Sequence, residues 1–542
     1  MAILNFKGKP FVQNYHLTVK YHELIPKRAE SLTEKVSLQD NLIIHGDNLK
    51  ALKALLPTFS SKLKCIYIDP PYNTGNEKWV YNDNVNSPMM QEWLGKVVDS
   101  EDLTRHDKWL CMMTPRLKLL RELLRDDGVI FVSIDDNEQH HLRMLMDSVF
   151  GEQNFITNIV WQKKYSPQND AKYFSDMHDF IVVYAKRRNT NGSDSGWQRN
   201  LLPRREEQNA RYKNPDDDPR GPWKPADFSV KTYSEAYDYP ITTPSGRIVN
   251  PPRGRSWATG EETFEAWRKD SRIWFGKNGN NVPSVKIFLS EVQEGVVPLT
   301  LWLRTEVGDN ELGKKEIKTI FGDVKLPFDT PKPSALVKRI IELSTDRDSI
   351  VLDSFAGSGT TAHAVLAVNK EDEGNRRFIL VECEDYAEEI TAERVRRVIQ
   401  GAPNAKDENL RHGLGGSFSY FELGKPIEME SILSGKNLPL YHELARYVFY
   451  TATGEEFDEG TVDENRNFIG ESKEYEVYLF YKPDIEYLKN TALTLDRAKG
   501  LGPDKGKKRL VFAPTKYLDQ EHLVELKIDF AQLPFEIYKF AE

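Results

Sequence analysis

The sequence predicts an α/β protein built on a mostly parallel, doubly wound sheet. Residues 41–68 read as strand, helix, strand, and residues 349–382 repeat that order around a glycine-rich loop. Apolar strands that alternate with amphipathic helices are typical of parallel sheets. In both segments an acidic residue directly follows an apolar strand. Such residues lie at the carboxyl edge of the sheet, where parallel α/β folds bind their ligands.

Length and composition exclude several other classes of protein. A chain of 542 residues is too long for one hydrophobic core, so we expect about two to four domains. No apolar run approaches the ~20 residues of a membrane span, and residues 1–20 lack the apolar segment of a secretory signal. The three cysteines lie far apart and form no metal-type spacing. We therefore expect a cytoplasmic protein with no membrane partner and no bound metal.

The segment 69–75, with the sequence DPPYNTG, follows the apolar run 65–68, which predicts a buried strand. Pro70 and Pro71 have no backbone N–H and a fixed φ, so neither a strand nor a helix continues through them. The residue before each proline is held extended. The sequence therefore predicts a stiff corner that presents a carboxylate, free carbonyl oxygens and the ring of Tyr72.

This corner suits the activation of an exocyclic amine, whose lone pair is delocalised into an aromatic ring. If the Asp69 carboxylate and the Pro70 carbonyl accept the two N–H bonds of adenine, the nitrogen is drawn towards tetrahedral geometry and can attack an electrophilic methyl group. Tyr72 can stack on the base, a contact that stabilises by about 1–3 kcal/mol. Asp69, Pro70, Pro71 and Tyr72 are therefore the candidate catalytic residues. The alternative is a tight turn that carries a surface aspartate.

The segments on either side of this corner predict regular elements. Apolar spacing predicts helices over 49–56, 107–124 and 139–150 and strands over 129–134, 159–161 and 180–184, while 41–48 predicts a short strand that ends in a turn. The acidic run 135–138 resembles a metal site, but acids between a strand and a helix N-terminus also complement the helix dipole, and we favour that interpretation. Asp47 ends the first strand, where it is either a ligand-binding acid or the N-cap of the next helix.

Residues 163–321 differ from the rest, with loops rich in proline, glycine and asparagine and with basic residues interleaved among aromatic ones. Between 161 and 280 there are 21 Lys/Arg and 16 Asp/Glu, a net charge of +5, so the remainder carries −14. A locally basic segment in an acidic protein fits a surface that binds a polyanion, in which arginines read phosphates and base edges and aromatics stack or wedge. The alternative is an irregular domain whose aromatic residues form its own core.

Residues 330–382 predict a second ligand-binding unit. Its elements are a helix over 334–344, a strand over 349–352, the loop DSFAGSGTT at 353–361, a helix over 362–369 and a strand over 377–381. Glycines let the loop backbone approach a ligand, and Glu382 at the end of the second strand can bind ribose hydroxyls. Because the loop lacks the lysine of a phosphate-binding loop, an adenosyl ligand is favoured over a nucleoside triphosphate.

The two ends of the chain carry weaker signals. Residues 1–38 are polar and lean basic, which predicts an irregular arm. The tail predicts strands over 418–421, 475–481 and 509–512 with helices between them. It contains no catalytic constellation, so we expect an accessory or docking domain.

These segments together resemble the β class of amino-methyltransferases, which transfer methyl from S-adenosylmethionine to adenine N6 in DNA. Within that class, the chain is most similar to the modification (Mod) subunits of type III restriction–modification systems. The resemblance covers nearly the whole chain and includes HGDNL at 45–49, DPPYNTG at 69–75, SIDDNE at 133–138, TPKP at 330–333 and DSFAGSGTT at 353–361. It implies a Rossmann-like, S-adenosylmethionine-dependent methyltransferase fold with a circularly permuted motif order.

The resemblance also implies a division of the chain into domains. These are an N-terminal arm (1–38), the catalytic half of the methyltransferase domain (39–162), an inserted DNA target-recognition domain (163–325), the cofactor-binding half (326–412) and a C-terminal α+β accessory domain (413–542). In this permuted order the catalytic motif precedes the cofactor motif.

Roles carried over from the family fall on matching residues of this chain. Asp69, Pro70 and Tyr72 would hold a flipped adenine. The implied cofactor-binding residues are Asp47, Lys332, Pro333, Asp353, Phe355, Ala356, Gly357, Gly359, Thr360 and Glu382, with Thr330 assisting. Further candidates for contact with the target base and DNA are Trp161, Lys163, Lys164, Arg253, Arg255 and Arg272.

The implied function is site-specific methylation of adenine N6 in duplex DNA, with S-adenosylmethionine as the methyl donor. The implied partners are DNA, a second copy of the chain, and a restriction subunit with helicase and nuclease activities. The sequence has no Walker loop and no evident nuclease motif, so the chain alone is expected to methylate and not to cut. Three alternatives stay open: an N4-cytosine methyltransferase, although aspartate at the first motif position favours adenine; a non-catalytic DNA-binding subunit; and a methyltransferase of protein or RNA amines.

Overall fold

The structure is a computed structural model. It describes residues 4–74, 105–167, 171–189, 196–204, 206–322, 331–427, 438–502 and 506–533. Gly75 and Thr330, which belong to two of the sequence motifs, lie outside the described residues.

The strands, in chain order, are β1 (His22–Pro26), β2 (Leu42–His45), β3 (Leu63–Ile68), β4 (Leu124–Ile134), β5 (Phe155–Gln162), β6 (His178–Ala185), β7 (Trp223–Asp227), β8 (Ser229–Val230), β9 (Ile241–Thr242), β10 (Ile248–Val249), β11 (Ser256–Trp257), β12 (Ile273–Trp274), β13 (Ser284–Phe288), β14 (Leu301–Trp302), β15 (Ile350–Asp353), β16 (Arg377–Glu382), β17 (Ser419–Pro426), β18 (Phe468–Glu471), β19 (Tyr475–Leu479), β20 (Lys508–Ala513) and β21 (Ile528–Gln532). The α-helices are α1 (Lys9–Val12), α2 (Tyr15–Thr18), α3 (Asn48–Phe59), α4 (Arg105–Leu123), α5 (Gln139–Phe150), α6 (Glu206–Asn209), α7 (Glu261–Lys269), α8 (Arg304–Val307), α9 (Asn310–Phe321), α10 (Ser334–Ser344), α11 (Thr360–Asp372), α12 (Glu393–Gln400), α13 (Glu408–His412), α14 (Tyr441–Thr453), α15 (Ile485–Lys489), α16 (Leu495–Lys499) and α17 (Gln520–Glu525).

A ten-stranded sheet organises most of the described chain, in the order β1-β17-β2-β16-β15-β3-β4-β6-β5-β14. The six neighbouring strands from β17 to β4 are all parallel, whereas β1 and β6 join this block antiparallel. This confirms the predicted mostly parallel sheet. The strands of the two sequence halves interleave, because β15 and β16 from the later half lie between β2 and β3 from the earlier half.

Helices cover both faces of this sheet. Each residue of β3 is buried, as expected for a strand covered on two sides. Ile66 and Ile68 pack in a core cluster with apolar residues of α3, α4 and α5. On the opposite face, Cys65 lies against Ser344 of α10. The doubly wound arrangement therefore follows from apolar residues on both faces of each central strand.

The edge of the sheet differs from the sequence prediction. The predicted irregular arm contains β1, which pairs antiparallel with β17. In turn β17, from the predicted accessory domain, pairs parallel with β2. The strand β1 has only five residues and a mixed burial pattern, so its apolar content alone could not identify it. The first and last predicted domains thus both contribute to the central sheet.

Residues 201–298 form a separate compact unit. Within it, Phe228, Trp257, Phe264 and Phe275 are buried together in one cluster. Phe228 stacks on Trp257 with ring centroids 5.6 Å apart. Much of the aromatic content of this segment therefore forms its own core, which is the alternative left open by the sequence. This unit is narrower than the predicted insert 163–325, because β6 and α9 belong to the larger unit.

The C-terminal part contains a second small sheet in the order β18-β19-β20-β21, antiparallel at its first pair and parallel at the next two. Apolar residues of α14, including Leu444 and Val448, pack with Val477 and Leu510 of this sheet. This part of the chain therefore combines helices with a small mixed sheet, and its role as an accessory or docking domain stays a prediction. Among the described residues, no helix combines the length and apolar character needed to cross a bilayer.

Candidate active site

Four acidic residues collect at one edge of the central sheet. The strands β2, β16, β15 and β3 are parallel neighbours, so their carboxyl ends point the same way. Glu382 and Asp353 are the last residues of β16 and β15, while Asp69 directly follows β3 and Asp47 lies two residues after β2. The fold therefore brings together acids that the sequence places up to 335 residues apart.

The Asp69 carboxylate is held from both sides. The Tyr72 hydroxyl donates to Oδ1 at 2.8 Å, and Lys332 Nζ donates to Oδ2 at 2.5 Å. The Asp69 side chain keeps 27% of its surface exposed, whereas that of Lys332 keeps 9%. Burial, followed by the Asp69 charge, raises the pKa of the Tyr72 phenol well above its usual value. Tyr72 therefore stays a neutral donor that orients the carboxylate.

Lys332 joins the corner at Asp69 to the start of α11, directly after the glycine-rich loop. Its backbone carbonyl accepts the Thr360 hydroxyl at 3.3 Å, at the start of α11. Its ammonium lies 5.1 Å from the ring centroid of Tyr72 and 6.0 Å from that of Trp161. Pro333 follows as the N-cap of α10. The resemblance implied a cofactor role for Lys332, but the structure places the ammonium on the candidate catalytic carboxylate.

We expect the substitution Lys332→Ala to lower methyl transfer while leaving cofactor affinity within about threefold. The backbone contact to Thr360 stays, but Asp69 loses the donor that fixes its orientation, and misplacement of this kind can cost about a hundredfold in rate. Single-turnover rates and cofactor titration separate the two effects. Lys338→Ala, a lysine of α10 that pairs with Glu371, is the matched control. A variant that loses cofactor affinity but not rate would show that the side chain serves the cofactor instead.

The glycine-rich loop is shaped by hydrogen bonds to its own acids. Asp353 is 3% exposed and accepts from the Phe355 backbone N–H at 3.0 Å and from the Thr361 hydroxyl at 2.6 Å. Gly357 and Gly359 adopt φ of 52° and 78°, which a residue with a side chain rarely does. At Gly359 a Cβ atom would also lie 3.2 Å from the Thr391 carbonyl. The loop thus needs its glycines for its own conformation.

Glu382 anchors this loop from the neighbouring strand. Its carboxylate is 1% exposed and accepts three backbone N–H groups: Gly357 at 2.6 Å, Cys383 at 2.9 Å and Glu384 at 3.1 Å. The first of these bonds ties the middle of the glycine loop to the end of β16. Glu382 therefore sets the position of the loop in addition to any contact with a bound ribose.

Asp353 has a strongly perturbed acidity. Burial raises the pKa of its carboxyl to about 7, and the nearby Asp69 and Glu382 charges act in the same direction, while the bonds from Thr361 and Phe355 oppose them. The carboxyl binds its proton more tightly in the folded chain than in the unfolded one. Its contribution to stability is therefore complete below its unfolded pKa of 3.8 and is lost as the pH rises through about 7.

We expect binding of S-adenosylmethionine, which carries a positive sulfonium, to release a proton from Asp353 near pH 7, so that affinity rises from pH 6 to pH 8. An ionised carboxylate is favoured by a nearby positive charge. Calorimetry in buffers of different ionisation enthalpy measures the released proton, and Asp353→Asn should abolish it. Equal proton release in both proteins would assign the effect to another group.

Asp47 is the N-cap of α3, the second of the two roles predicted for it. Its carboxylate accepts from the Lys50 backbone N–H at 3.0 Å and so caps α3. Arg116 Nη2 lies 3.9 Å away. The cap does not exclude a ligand contact, because Asp47 also lies beside Glu382 at the sheet edge through the pairing of β2 with β16.

The candidate base- and DNA-contacting residues of the larger unit are largely engaged within it. Trp161 is fully buried, and its indole N–H donates to the Gly308 carbonyl at 3.0 Å. Lys163 Nζ lies 2.7 Å from carboxylate oxygens of both Asp176 and Asp179. Lys164 is partly buried next to it. Lys163 therefore links the end of β5 to two carboxylates at the start of β6.

The three candidate arginines of the compact unit 201–298 differ from one another. Arg253 is exposed in the turn before β11. Arg255 donates to the Ser229 carbonyl at 2.7 Å. Arg272 forms ion pairs with Asp270 and Glu291. Arg253 is thus the most accessible of the three, while Arg272 is held by two carboxylates.

Two residues next to the site were missed by the sequence. Arg394, on α12, is fully buried and donates to the Ser358 and Thr360 hydroxyls at 2.8 Å each, so it supports the glycine loop from behind. Asp179 is 3% exposed, and burial raises the pKa of its carboxyl. The residues around Arg394 are mostly charged, a pattern typical of a solvent-exposed helix face. The signal in the sequence that could have indicated an inward-facing side is the helical spacing of the apolar residues on α12.

Comparison with known proteins agrees with this geometry. Residues 63–393 match the family model N6_N4_Mtase, described as DNA methylase. The chain is 35% identical to the type III restriction-modification enzyme StyLTI Mod subunit of Salmonella typhimurium, over 78% of this chain and 66% of that protein. It is 30% identical to the EcoPI Mod subunit of Escherichia phage P1, over 80% of this chain and 73% of that protein. It is 34% identical to the type II methyltransferase M.KpnI of Klebsiella pneumoniae, over 62% of this chain and 79% of that protein.

These matches confirm the resemblance to Mod subunits that the sequence motifs predicted. The family match begins in β3 and ends at the first residue of α12, so it includes the catalytic corner, the glycine loop and Glu382. The chain spans about two thirds of the StyLTI subunit and somewhat more of the other two relatives. The chain therefore belongs to the DNA methylase family.

Proposed function

We propose that this protein methylates N6 of a specific adenine in duplex DNA, as the modification subunit of a type III-like restriction–modification system. The observation that carries the proposal is the corner at Asp69, whose carboxylate is oriented by Tyr72 and Lys332 at the sheet edge that also holds the glycine loop. Two acceptors on a donor-poor turn suit a primary amine, which brings two N–H groups.

The residues of this edge fit S-adenosylmethionine. Its sulfonium and ammonium groups are cationic, and Asp353 and Glu382 supply buried carboxylates on adjacent strands. Ser354 Oγ is buried and has no hydrogen-bond partner among the described residues, so the loop has a polar atom left for a ligand. When bound, the cofactor supplies an electrophilic methyl group. Asp353, Phe355, Gly357 and Glu382 are the residues proposed to hold it.

The chain's own groups can activate the amine once a base has entered. Unstacking the adenine costs a few kcal/mol, and Tyr72 offsets part of this by stacking on it. Asp69 and the Pro70 carbonyl accept the two N–H bonds and face the positive charge that develops on nitrogen. The Lys332 ammonium and the incoming amine both bind the Asp69 carboxylate. As the base enters, Lys332 therefore either moves away from Asp69 or donates to the same carboxylate as the amine. No covalent enzyme intermediate is required.

DNA binding and assembly complete the proposal. The basic, irregular segment 163–325, which contains the compact unit 201–298, is proposed to read the target site through phosphates and base edges. Two of the relatives are named Mod subunits of type III enzymes, which supports a restriction subunit as partner. M.KpnI, a type II methyltransferase, supports activity of the chain by itself. A dimer of this chain is also proposed.

Transfer of labelled methyl from S-adenosylmethionine to duplex DNA, with identification of the modified nucleoside, tests the proposal. N6-methyladenine at a single recurring sequence would support it. N4-methylcytosine would replace it with the cytosine alternative. Cofactor binding without transfer to a library of random duplexes, in the presence and absence of a restriction subunit, would favour a non-catalytic DNA-binding role.

A further inference from the structure

Glu138 is a buried carboxylate that the proposed mechanism does not use. It ends the acidic run 135–138, which lies between β4 and α5 as the sequence predicted. It occupies the N-cap position of α5, yet its side chain makes no capping hydrogen bond. Its exposure is 0%. A buried carboxylate that does not cap its helix needs other donors to replace its lost hydration.

Three side chains from three parts of the chain supply those donors. His106 Nδ1, on α4, lies 2.7 Å from Glu138 Oε1. His141 Nδ1, one turn along α5, lies 2.8 Å from Oε2. The Asn73 side-chain amide donates to Oε1. A neutral imidazole that carries its proton on Nδ1 can donate this bond, so all three contacts are compatible with uncharged donors.

Two histidines and a glutamate could also hold a zinc ion, but the distances favour hydrogen bonds. Tetrahedral zinc with bonds of about 2.0–2.1 Å holds its ligand atoms about 3.3 Å apart. Here both nitrogen–oxygen pairs are at least 0.5 Å closer than this separation, at 2.7 and 2.8 Å. The cluster formed by Asn73, His106, Glu138 and His141 is therefore a hydrogen-bonded one.

This cluster reaches the catalytic corner through Asn73. Asn73 directly follows Tyr72, is 4% exposed and adopts a left-handed φ of 57°. Its amide also donates to the Arg105 carbonyl at 3.2 Å, where α4 begins. Pro70 and Pro71 have no backbone N–H to donate, so these two residues contribute no donor of their own to the attachment of the corner.

One further contact holds the corner from the same side. The Trp109 indole N–H, also on α4, donates to the Pro71 carbonyl at 2.7 Å. On this side the described contacts of the corner are thus the bond to the Pro71 carbonyl and the bonds of the Asn73 side chain, which add to the Lys332 contact with Asp69. Without Glu138, the Asn73 amide would keep its bond to the Arg105 carbonyl and lose the other bond that the described residues give it.

We propose that Glu138 is a positioning residue for methyl transfer, which acts through Asn73 to hold the catalytic corner in its reactive geometry. The inference rests on the proposed function, because it assigns Glu138 to the step in which Asp69 meets the amine. It also gives the acidic run a role in the reaction beyond that of a strand end.

We expect Glu138→Ala to lower the single-turnover rate of methyl transfer by about a hundredfold, the cost typical of a small misplacement of reacting groups. Cofactor affinity should stay within about threefold, since Glu138 contacts no residue of the glycine loop among its recorded hydrogen bonds. Glu152→Ala is the matched control, because this exposed glutamate follows the C-terminal end of the same helix. A role in folding alone would instead lower the amount of protein that binds cofactor and leave the rate per bound cofactor unchanged.

Exchange of donor and acceptor provides a second test that does not depend on the alanine variant folding. Asn73→Asp alone places two carboxylates together and should cost about a hundredfold in rate. Adding Glu138→Gln restores a donor–acceptor pair with reversed polarity, and the double variant should recover to within about tenfold of the unsubstituted protein. No recovery, or full activity of Glu138→Ala, would overturn the proposal.

The unsubstituted protein separates failure of this inference from failure of the proposed function. If it transfers no methyl to DNA, the function fails. If it is active and the Glu138 variants match it, only the positioning role fails. Elemental analysis supplies the remaining check: one equivalent of zinc that is retained by the unsubstituted protein and lost in His106→Ala would replace the hydrogen-bonded cluster with a metal site.

Discussion

Asp69→Ala should lower methyl transfer by about a thousandfold or more while cofactor affinity stays within about threefold. The substitution removes one of the two acceptors aimed at the developing positive charge, and groups of this kind contribute about 10²–10³-fold each. It also releases Tyr72 and Lys332, which lose the carboxylate that both contact. Single-turnover transfer of labelled methyl to DNA measures the rate, and equilibrium titration measures cofactor binding.

Asp136→Ala is the control for this experiment. Asp136 is exposed just after β4, so it offers a strand-end aspartate outside the site. It should transfer methyl at the rate of the unsubstituted protein. A fully active Asp69→Ala variant would remove Asp69 from the mechanism, and a variant that also lost cofactor affinity would indicate that the corner helps to form the cofactor site.

Glu382→Ala should weaken cofactor binding by about a hundredfold, which corresponds to about 2.8 kcal/mol. Three backbone N–H groups lose their acceptor, and each such buried donor costs about 1–3 kcal/mol when left unpaired. The loop at Gly357 is then free to leave the end of β16. Equilibrium titration with S-adenosylmethionine, together with thermal unfolding, measures both effects.

Two further variants make this result interpretable. Glu382→Gln keeps the size of the side chain and one acceptor oxygen. Its affinity for S-adenosylmethionine should therefore lie between that of the unsubstituted protein and that of Glu382→Ala. Asp385→Ala removes an exposed acid three residues later and should bind normally. Normal binding by Glu382→Ala would mean that the glycine loop holds its shape without this anchor.

The sequence predicted those parts of the site whose conformation is set locally. Prolines at 70 and 71 forbid a continuing strand, and glycines at 357 and 359 permit left-handed φ, so each loop can be identified from a few neighbouring residues. The apolar runs before them identify β3 and β15 for the same reason. The family resemblance then connected the two loops, which the residues alone did not.

Contacts between distant segments were not predictable in the same way. Lys332 contacts Asp69 across 263 residues of sequence. The residues around Lys332 resemble only the start of a helix. Glu138 was interpreted as a helix-end acid, because its partner Asn73 lies 65 residues earlier and belongs to another motif. β1 was read as part of an arm, since its pairing with β17 spans almost four hundred residues. In each case the local pattern fits two environments, and only the tertiary fold selects one.

The interleaved strand order also limits when the protein can become active during its synthesis. The strands β2 and β3 leave the ribosome early, but the positions between them stay empty until β15 and β16 have been made. The first half of the chain must therefore wait with unpaired edges on β2 and β3, which are sites for mispairing and aggregation. Such non-local pairing also slows folding. During synthesis there is thus an interval in which Asp69 and its strand exist but the glycine loop that shares their sheet edge does not.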